Sequence, residues 1–379
     1  TFFWHSEHLT HQQPGYYTSV RMFSTRNHNM EVPYNSEGLR NHYLGNGSNF
    51  ISRTGTEYYD IYPVFDFHKI PGTTLVQYPD FPDPDEIQQP GITDFVGGLT
   101  DGVLGAAAFD FRSEHDSISA RKSWFFFEGR YVCLGAGIAS NAGSPVVTTI
   151  NQCLLRAPVA TGAVGKEHFH KDGEPANLRW IWHDSVGYFF PRPQRVHYSM
   201  QEQTGSWYLI SHQSDSPRDP VSKDVFKLWI DHGLRPDGAS YEYVVVPGVS
   251  AQEASELNLA DELSILANEA GLQAVEDVAS GVAQLVFYAP GSITASRQLR
   301  ITAYDPGMLM IRRKEARIME VTVADPSRSL DRFRFSVNAK LEANGDHFTA
   351  VWNDAEKHTE ITVRLPQEVY AGKSVSIRF

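Results

Sequence analysis

Arg317-Ile318-Met319-Glu320-Val321-Thr322-Val323 alternates: Ile318, Glu320 and Thr322 fall on one side of an extended chain, Met319, Val321 and Val323 on the other. A two-residue period of this kind marks a β-strand. Outward from it, short runs rich in aromatic and β-branched residues recur at 15–24, 123–134, 180–190, 206–211, 241–246 and 283–288, each bounded by Gly, Pro, Asn or Asp. No long stretch carries a 3.6-residue period; only 254–269 reads as helical, in two short pieces. The pattern predicts an all-β chain built of antiparallel sandwiches. Tyr243-Val-Val-Val-Pro-Gly248 closes a strand just before the helical stretch. A boundary is therefore expected near residue 265, with a large β domain over 1–265 and a smaller antiparallel β domain over 266–379. The acidic, proline-rich stretch 78–90 reads as an exposed loop.

With 379 residues the chain can bury a large core without cross-links. No segment approaches the run of about 20 apolar residues that a membrane-spanning helix needs, so no membrane partner is expected. Two cysteines, Cys133 and Cys153, make no disulfide framework and read as buried free thiols. The opening Thr1-Phe2-Phe3-Trp4-His5 shows neither an initiator Met nor a signal pattern, and a longer polypeptide is expected. A formal net charge of −12 argues against nucleic acid as a partner, which requires a basic surface.

From Asn46 the chain reads Asn-Gly-Ser-Asn-Phe-Ile-Ser-Arg-Thr-Gly-Thr-Glu-Tyr-Tyr-Asp-Ile-Tyr-Pro-Val-Phe-Asp-Phe-His-Lys-Ile-Pro-Gly-Thr-Thr. This resembles the central domain of the polysaccharide lyases that cleave chondroitin, hyaluronan and xanthan (polysaccharide lyase family 8). Their pattern is a Glu-Tyr-Tyr-Asn-like segment, Pro, an aromatic pair, and Lys-x-Pro-Gly-Thr-Thr. Further blocks match in order: His11-Gln-Gln-Pro-Gly-Tyr-Tyr17 with Ser19-Val-Arg-Met22, Lys122-Ser-Trp-Phe-Phe-Phe127, Leu134-Gly-Ala-Gly-Ile138, Asp224-Val-Phe-Lys-Leu-Trp229 with His232-Gly233, and Val246-Pro-Gly248. The resemblance covers roughly 1–290 well and the remainder more weakly. Chondroitin AC lyases are the branch the chain resembles most.

The resemblance implies a toroid of paired helices followed by a large antiparallel β super-sandwich and a small antiparallel β domain. An acidic polysaccharide lies in a cleft between toroid and sandwich. In such enzymes an Asn, a His, a Tyr and Arg residues of the toroid perform the β-elimination. No matching helical region lies in this chain. The expectation is therefore the C-terminal half of a glycosaminoglycan lyase, inactive as an isolated fragment, with the N-terminal helical toroid of the same polypeptide as partner. Secretion or periplasmic export is implied by the substrate class. Because the substrate is a polyanion and the chain is acidic, the cationic groups are expected from the toroid rather than from a local basic patch.

Elimination across a uronate requires a neutralised carboxylate, a base for the α-proton and an acid for the leaving oxygen. The resemblance makes Glu57 the glutamate that contacts the catalytic Tyr and Arg across the cleft, in a supporting role. Read alone, it is a surface carboxylate at a strand end. Asp60 stands where the chondroitin AC lyases carry an Asn-like position, and its extra negative charge weakens a binding role. Tyr58 and Tyr59 read as strand neighbours on opposite faces, with Tyr58 the cleft candidate. Arg53 offers a guanidinium fork to a sulfate or carboxylate, or a surface ion pair. Trp124 offers a stacking platform for a sugar, although a Trp beside three Phe is also a core pattern.

No metal and no cofactor are required by this chemistry. His168 and His170 would share one strand face, but no further ligands have zinc spacing. Asp94 and Asp101 flank Gly97-Gly98, where turn capping competes with a structural calcium. Gly135-Ala-Gly137 lacks the strand–turn–helix context of a dinucleotide site, and no Ser-His-Asp set shows a nucleophile elbow. Two other readings stay open: a non-catalytic carbohydrate-binding or structural β module, and a lyase acting on xanthan.

Overall fold

The computed structural model describes residues 1–379 except 164, 165, 168–171, 174–177 and 316. The described residues form five sheets, every pairing among them antiparallel. Four strands over Phe2–Ser52 make the first. A nine-stranded sheet is centred on Asp237–Pro247, Arg130–Ala139, Ser119–Phe127 and Gly105–Arg112. A five-stranded sheet is centred on Val196–Gly205, Val221–Leu234 and Pro145–Leu154. From Leu263 onward the chain makes two six-stranded sheets.

Ser119–Phe127 shows why the sheets stack. Every residue from Lys122 to Phe127 is buried, as expected of a strand covered on both faces. Trp124 and Phe126 turn toward Leu9 and Val20 of the first sheet and Phe226 and Leu228 of the five-stranded one. Phe125 and Phe127 turn the other way, against Val275, Val286, Met308 and Met310. The two C-terminal sheets then close on each other around Ile301, Phe333, Phe335 and Val363. Cys133 and Cys153 are buried, free thiols.

Three local readings are corrected. Arg317–Ala324 is a strand, but Arg313 pairs with Ile318 and Arg312 with Glu320, leaving Met319 as a bulge. The extra residue resets the alternation, so Ile318 shares a core with Val321 and Val323 rather than opposing them. The run 206–211 is a turn of 3-10 helix, Trp207–Leu209, not a strand. The strand ends where Gly205 meets the carbonyl oxygen of Pro63: a Cβ there would lie 1.9 Å from it. The α-helix begins earlier than expected, at Ala251–Glu256, because Ser250 and Glu253 form a capping box. Leu263–Asn268, read as helical, is instead a strand paired with Leu272–Asp277.

Candidate functional site

Glu57 follows the strand Ser48–Ser52 by a tight loop, not a strand end. Gly55 takes φ 86° and Asp60 φ 57°, and the amides of Tyr59 and Ile61 bond back to Thr56 and Tyr58. The left-handed conformations stop strand pairing, and the loop's own amides need acceptors. The Glu57 carboxylate supplies them. Oε1 accepts from the amides of Arg53 (2.9 Å) and Thr54 (2.7 Å) and from the Thr54 hydroxyl (2.9 Å). Oε2 accepts from the Ser52 hydroxyl (2.8 Å) and the Gly55 amide (3.0 Å). Five donors fill the capacity of a carboxylate, about four lone-pair sites with one shared. The Glu57 carbonyl meanwhile accepts from the Leu154 amide at 3.0 Å, fixing the loop to the five-stranded sheet.

Burial alone would raise the Glu57 pKa, but the hydrogen bonds led by the Thr54 amide outweigh it and hold the carboxyl down to about 2. Its folded pKa lies below the ordinary 4.5, so its contribution is present above pH 4.5 and lost as pH falls toward 2. The protection factors of the 52–56 amides, with the intrinsic pH dependence of exchange removed, should therefore fall through that window in the wild type. In Glu57→Gln the loop should exchange fast at every pH; a wild-type loop indifferent to this window would refute the anchoring role.

The other sequence candidates separate. Arg53 is half-buried beside the anchored loop, and its Nε–H meets no acceptor among the described residues. Asp60 is exposed at the loop's far end. Tyr58 is not a cleft residue: the loop turns its ring onto Phe50, edge to face at 5.1 Å. Its hydroxyl donates to Asn151 (3.0 Å) and accepts from the Ile51 amide, and burial pushes its pKa well up. Tyr59, on the opposite side, is 68% exposed. Trp124 is 0% exposed, so it stacks on no sugar; it belongs to the doubly covered strand. Asp101 caps the amides of Val103 and Leu104 through Oδ1 and pairs with Arg312 through Oδ2, at 2.5 Å. The Asp94 carbonyl accepts from Arg26. His168 and His170 lie outside the described residues. Among the described residues no group of three or more His, Cys, Asp or Glu is placed to hold a metal, and no helix is long and apolar enough to cross a membrane.

Sequence reasoning missed Lys122. Its side chain is fully buried, and its Nζ donates to the carbonyls of Asn46 (3.1 Å) and Gly72 (2.6 Å) above the Trp124 ring. Among the described residues no carboxylate meets it, and burial drives the amine down to about 7. Lys122 thus clamps both ends of the 46–72 segment that carries Glu57. No local signal marks it: the carbonyls that Lys122 meets lie 76 and 50 residues earlier in the chain.

The stacked antiparallel sheets define the fold class, and sequence comparison shows the family. Residues 1–258 match polysaccharide lyase family 8, super-sandwich domain, and residues 264–334 match polysaccharide lyase family 8, C-terminal beta-sandwich domain. The chain belongs to polysaccharide lyase family 8. It is 35% identical to the chondroitinase-AC of Pedobacter heparinus over 99% of this chain and 51% of that protein. It is 28% identical to the xanthan lyase of a Bacillus species over 84% of this chain and 35% of that protein. A chondroitinase AC lyase solved in oligosaccharide complexes superposes with a TM-score of 0.88 at 33% identity, over 99% of this chain and 53% of the other. The chain spans about half the length of the two chondroitinase AC relatives and about a third of the xanthan lyase.

Proposed function

We propose that this chain is the β-rich half of a lyase that cleaves uronate-containing glycosaminoglycans, chondroitin sulfate or hyaluronan, by β-elimination. The observation that carries the proposal is the Glu57 loop, a rigid anionic element in the segment that resembles the family's cleft. In this reading the proton-transferring groups belong to a helical part of the same polypeptide, which the protein is built to meet across the cleft. Both Glu57 oxygens are engaged by its own loop, so Glu57 acts through that loop as a positioning residue. It presents Arg53 and Asp60 at the cleft and holds the negative potential that keeps cationic partners in register. The isolated chain is then inactive. The elimination is acid–base chemistry, for which the proposal invokes no cofactor, and its polymeric substrate places the protein outside the cytoplasm, secreted or periplasmic.

Identity of the products tests this. The full-length polypeptide should release unsaturated uronates from chondroitin or hyaluronan, each lighter by one water than a hydrolysis product. Activity on xanthan alone would move the substrate to that polymer. Products without the double bond would overturn the reading.

A further inference from the structure

A guanidinium reaches the Glu57 carboxylate through two threonine hydroxyls. The strand Pro145–Leu154 is pinned on both sides where it leaves the five-stranded sheet. There the Leu154 amide donates to the Glu57 carbonyl at 3.0 Å, and the Leu155 amide donates to the Asp224 carbonyl at 2.9 Å. The next residue, Arg156, is exposed, and its Nη1–H donates at 2.5 Å to the hydroxyl of Thr56, 100 residues earlier in the chain. Thr56 Oγ1 lies 2.7 Å from Thr54 Oγ1, and the Thr54 hydroxyl donates to Glu57 Oε1 at 2.9 Å.

The hydroxyl protons of this relay have a single arrangement. A threonine hydroxyl offers one proton and two lone pairs, and an ionised carboxylate only accepts. Thr54 commits its proton to Glu57. Between the two threonines, therefore, Thr56 donates and Thr54 accepts, which leaves a Thr56 lone pair for Arg156. Every donor then points the same way, from guanidinium to carboxylate, and in such a chain each bond polarises the next. Arg156 and Glu57 thus form an ion pair at one remove. A guanidinium carries five N–H groups in a planar fork that matches carboxylate and sulfate. Among the described residues the one hydrogen bond of the Arg156 side chain is that to Thr56, and no carboxylate pairs with it. Its other N–H groups are open to an incoming anion.

We infer that Arg156 receives a carboxylate or sulfate of the polymer on its open N–H groups and positions the Glu57 loop through the Thr56–Thr54 relay. The inference rests on the reading of that loop as part of a lyase cleft. Two exposed residues separate its two halves in the full-length polypeptide: Thr56→Val cuts the relay and keeps the cation, whereas Arg156→Gln removes both. Thr56→Val should lower kcat on chondroitin sulfate about threefold, the scale of an exposed charge contact, with KM unchanged. Thr56→Ser, which keeps the hydroxyl, should restore kcat. Arg156→Gln should lower kcat by the same factor and also raise KM about threefold. In the double variant the kcat losses should not add, because both changes break one chain. A KM rise confined to sulfated polymer would identify the anion as sulfate; a rise shared by hyaluronan would identify it as the uronate carboxylate. Fully additive kcat losses, or a kcat indifferent to Thr56→Val, would overturn the relay. An unchanged KM in Arg156→Gln would overturn the anion contact. Affinity electrophoresis through gels containing chondroitin sulfate, with uncharged dextran as control, reads the contact without turnover. If the wild type releases no unsaturated product yet Arg156→Gln weakens its retardation, the lyase reading fails and the anion contact stands.

Discussion

Full-length polypeptide carrying Glu57→Gln is expected to lose about a hundredfold in kcat, the scale of a small misplacement of positioning groups, with KM changed far less. The amide keeps one acceptor oxygen but points an NH2 group at donors that now face a carboxylate. The Ser52 hydroxyl can rotate to accept; the Gly55 amide, 3.0 Å from Oε2, cannot. The Gly55 amide is left with the Ser52 hydroxyl oxygen alone, at 3.1 Å, and the negative charge is gone. Loss of a charge-assisted bond costs about 1.5–3 kcal/mol, spent in the loop, so the chain should still fold. Steady-state kinetics together with a urea titration check both halves. Unchanged kcat would remove Glu57 from the mechanism, whereas a collapse in stability matching the loss of activity would make its role purely architectural.

The second large effect is expected at Arg26, where three parts of the fold meet. Glu7 is 0% exposed, and its Oε1 accepts from Arg26 Nη2 (2.5 Å), Arg26 Nε (2.9 Å) and the Ser24 hydroxyl (2.6 Å). The same guanidinium donates to the carbonyls of Asp94 and Val96 at the edge of the nine-stranded sheet, and to Pro326 and Ser327 of the C-terminal domain. Arg328 approaches Glu7 at 3.6 Å but alone does not replace these bonds. Arg26→Ala leaves the buried Glu7 carboxylate with only the Ser24 hydroxyl and the more distant Arg328, a loss of about 3–5 kcal/mol by analogy with broken buried pairs. Arg26→Met with Glu7→Gln should cost less than the two single changes summed. An unfolding free energy from urea titration that falls by under about 1 kcal/mol for Arg26→Ala, as at a surface pair, would show the joint to be held by apolar contact instead.

How much of this was legible follows from what each signal measures. The all-β class was readable because alternation and turn residues are local properties, and family resemblance carried the super-sandwich with it. The Met319 bulge was not readable, since a single unpaired residue leaves no mark in the residue types around it. Ser206–Ser211 failed as a strand because Gly205 must admit the Pro63 carbonyl, a contact between segments far apart in sequence. At the site, Glu57 was singled out only through resemblance; its five loop donors are a matter of geometry. Trp124 was misplaced because aromatic residues on a strand look alike whether a face is covered or open, and Tyr58 because it lies in a loop, not a strand, that turns its ring onto Phe50. Trp124 is covered by Leu9, Val20, Phe226 and Leu228 of two other sheets, none of them near it in sequence. Lys122 and the relay from Arg156 to Glu57 depend likewise on contacts between segments far apart in sequence.

The most direct test of the central claim compares release of unsaturated uronate from chondroitin sulfate by this chain alone and by the full-length polypeptide, followed by ultraviolet absorbance. Absorbance from the full-length polypeptide only is the predicted result, and it would place the proton-transferring groups outside residues 1–379. Absorbance from the chain alone would contradict the account, because a complete acid–base set would then lie among its own His, Tyr and Arg residues.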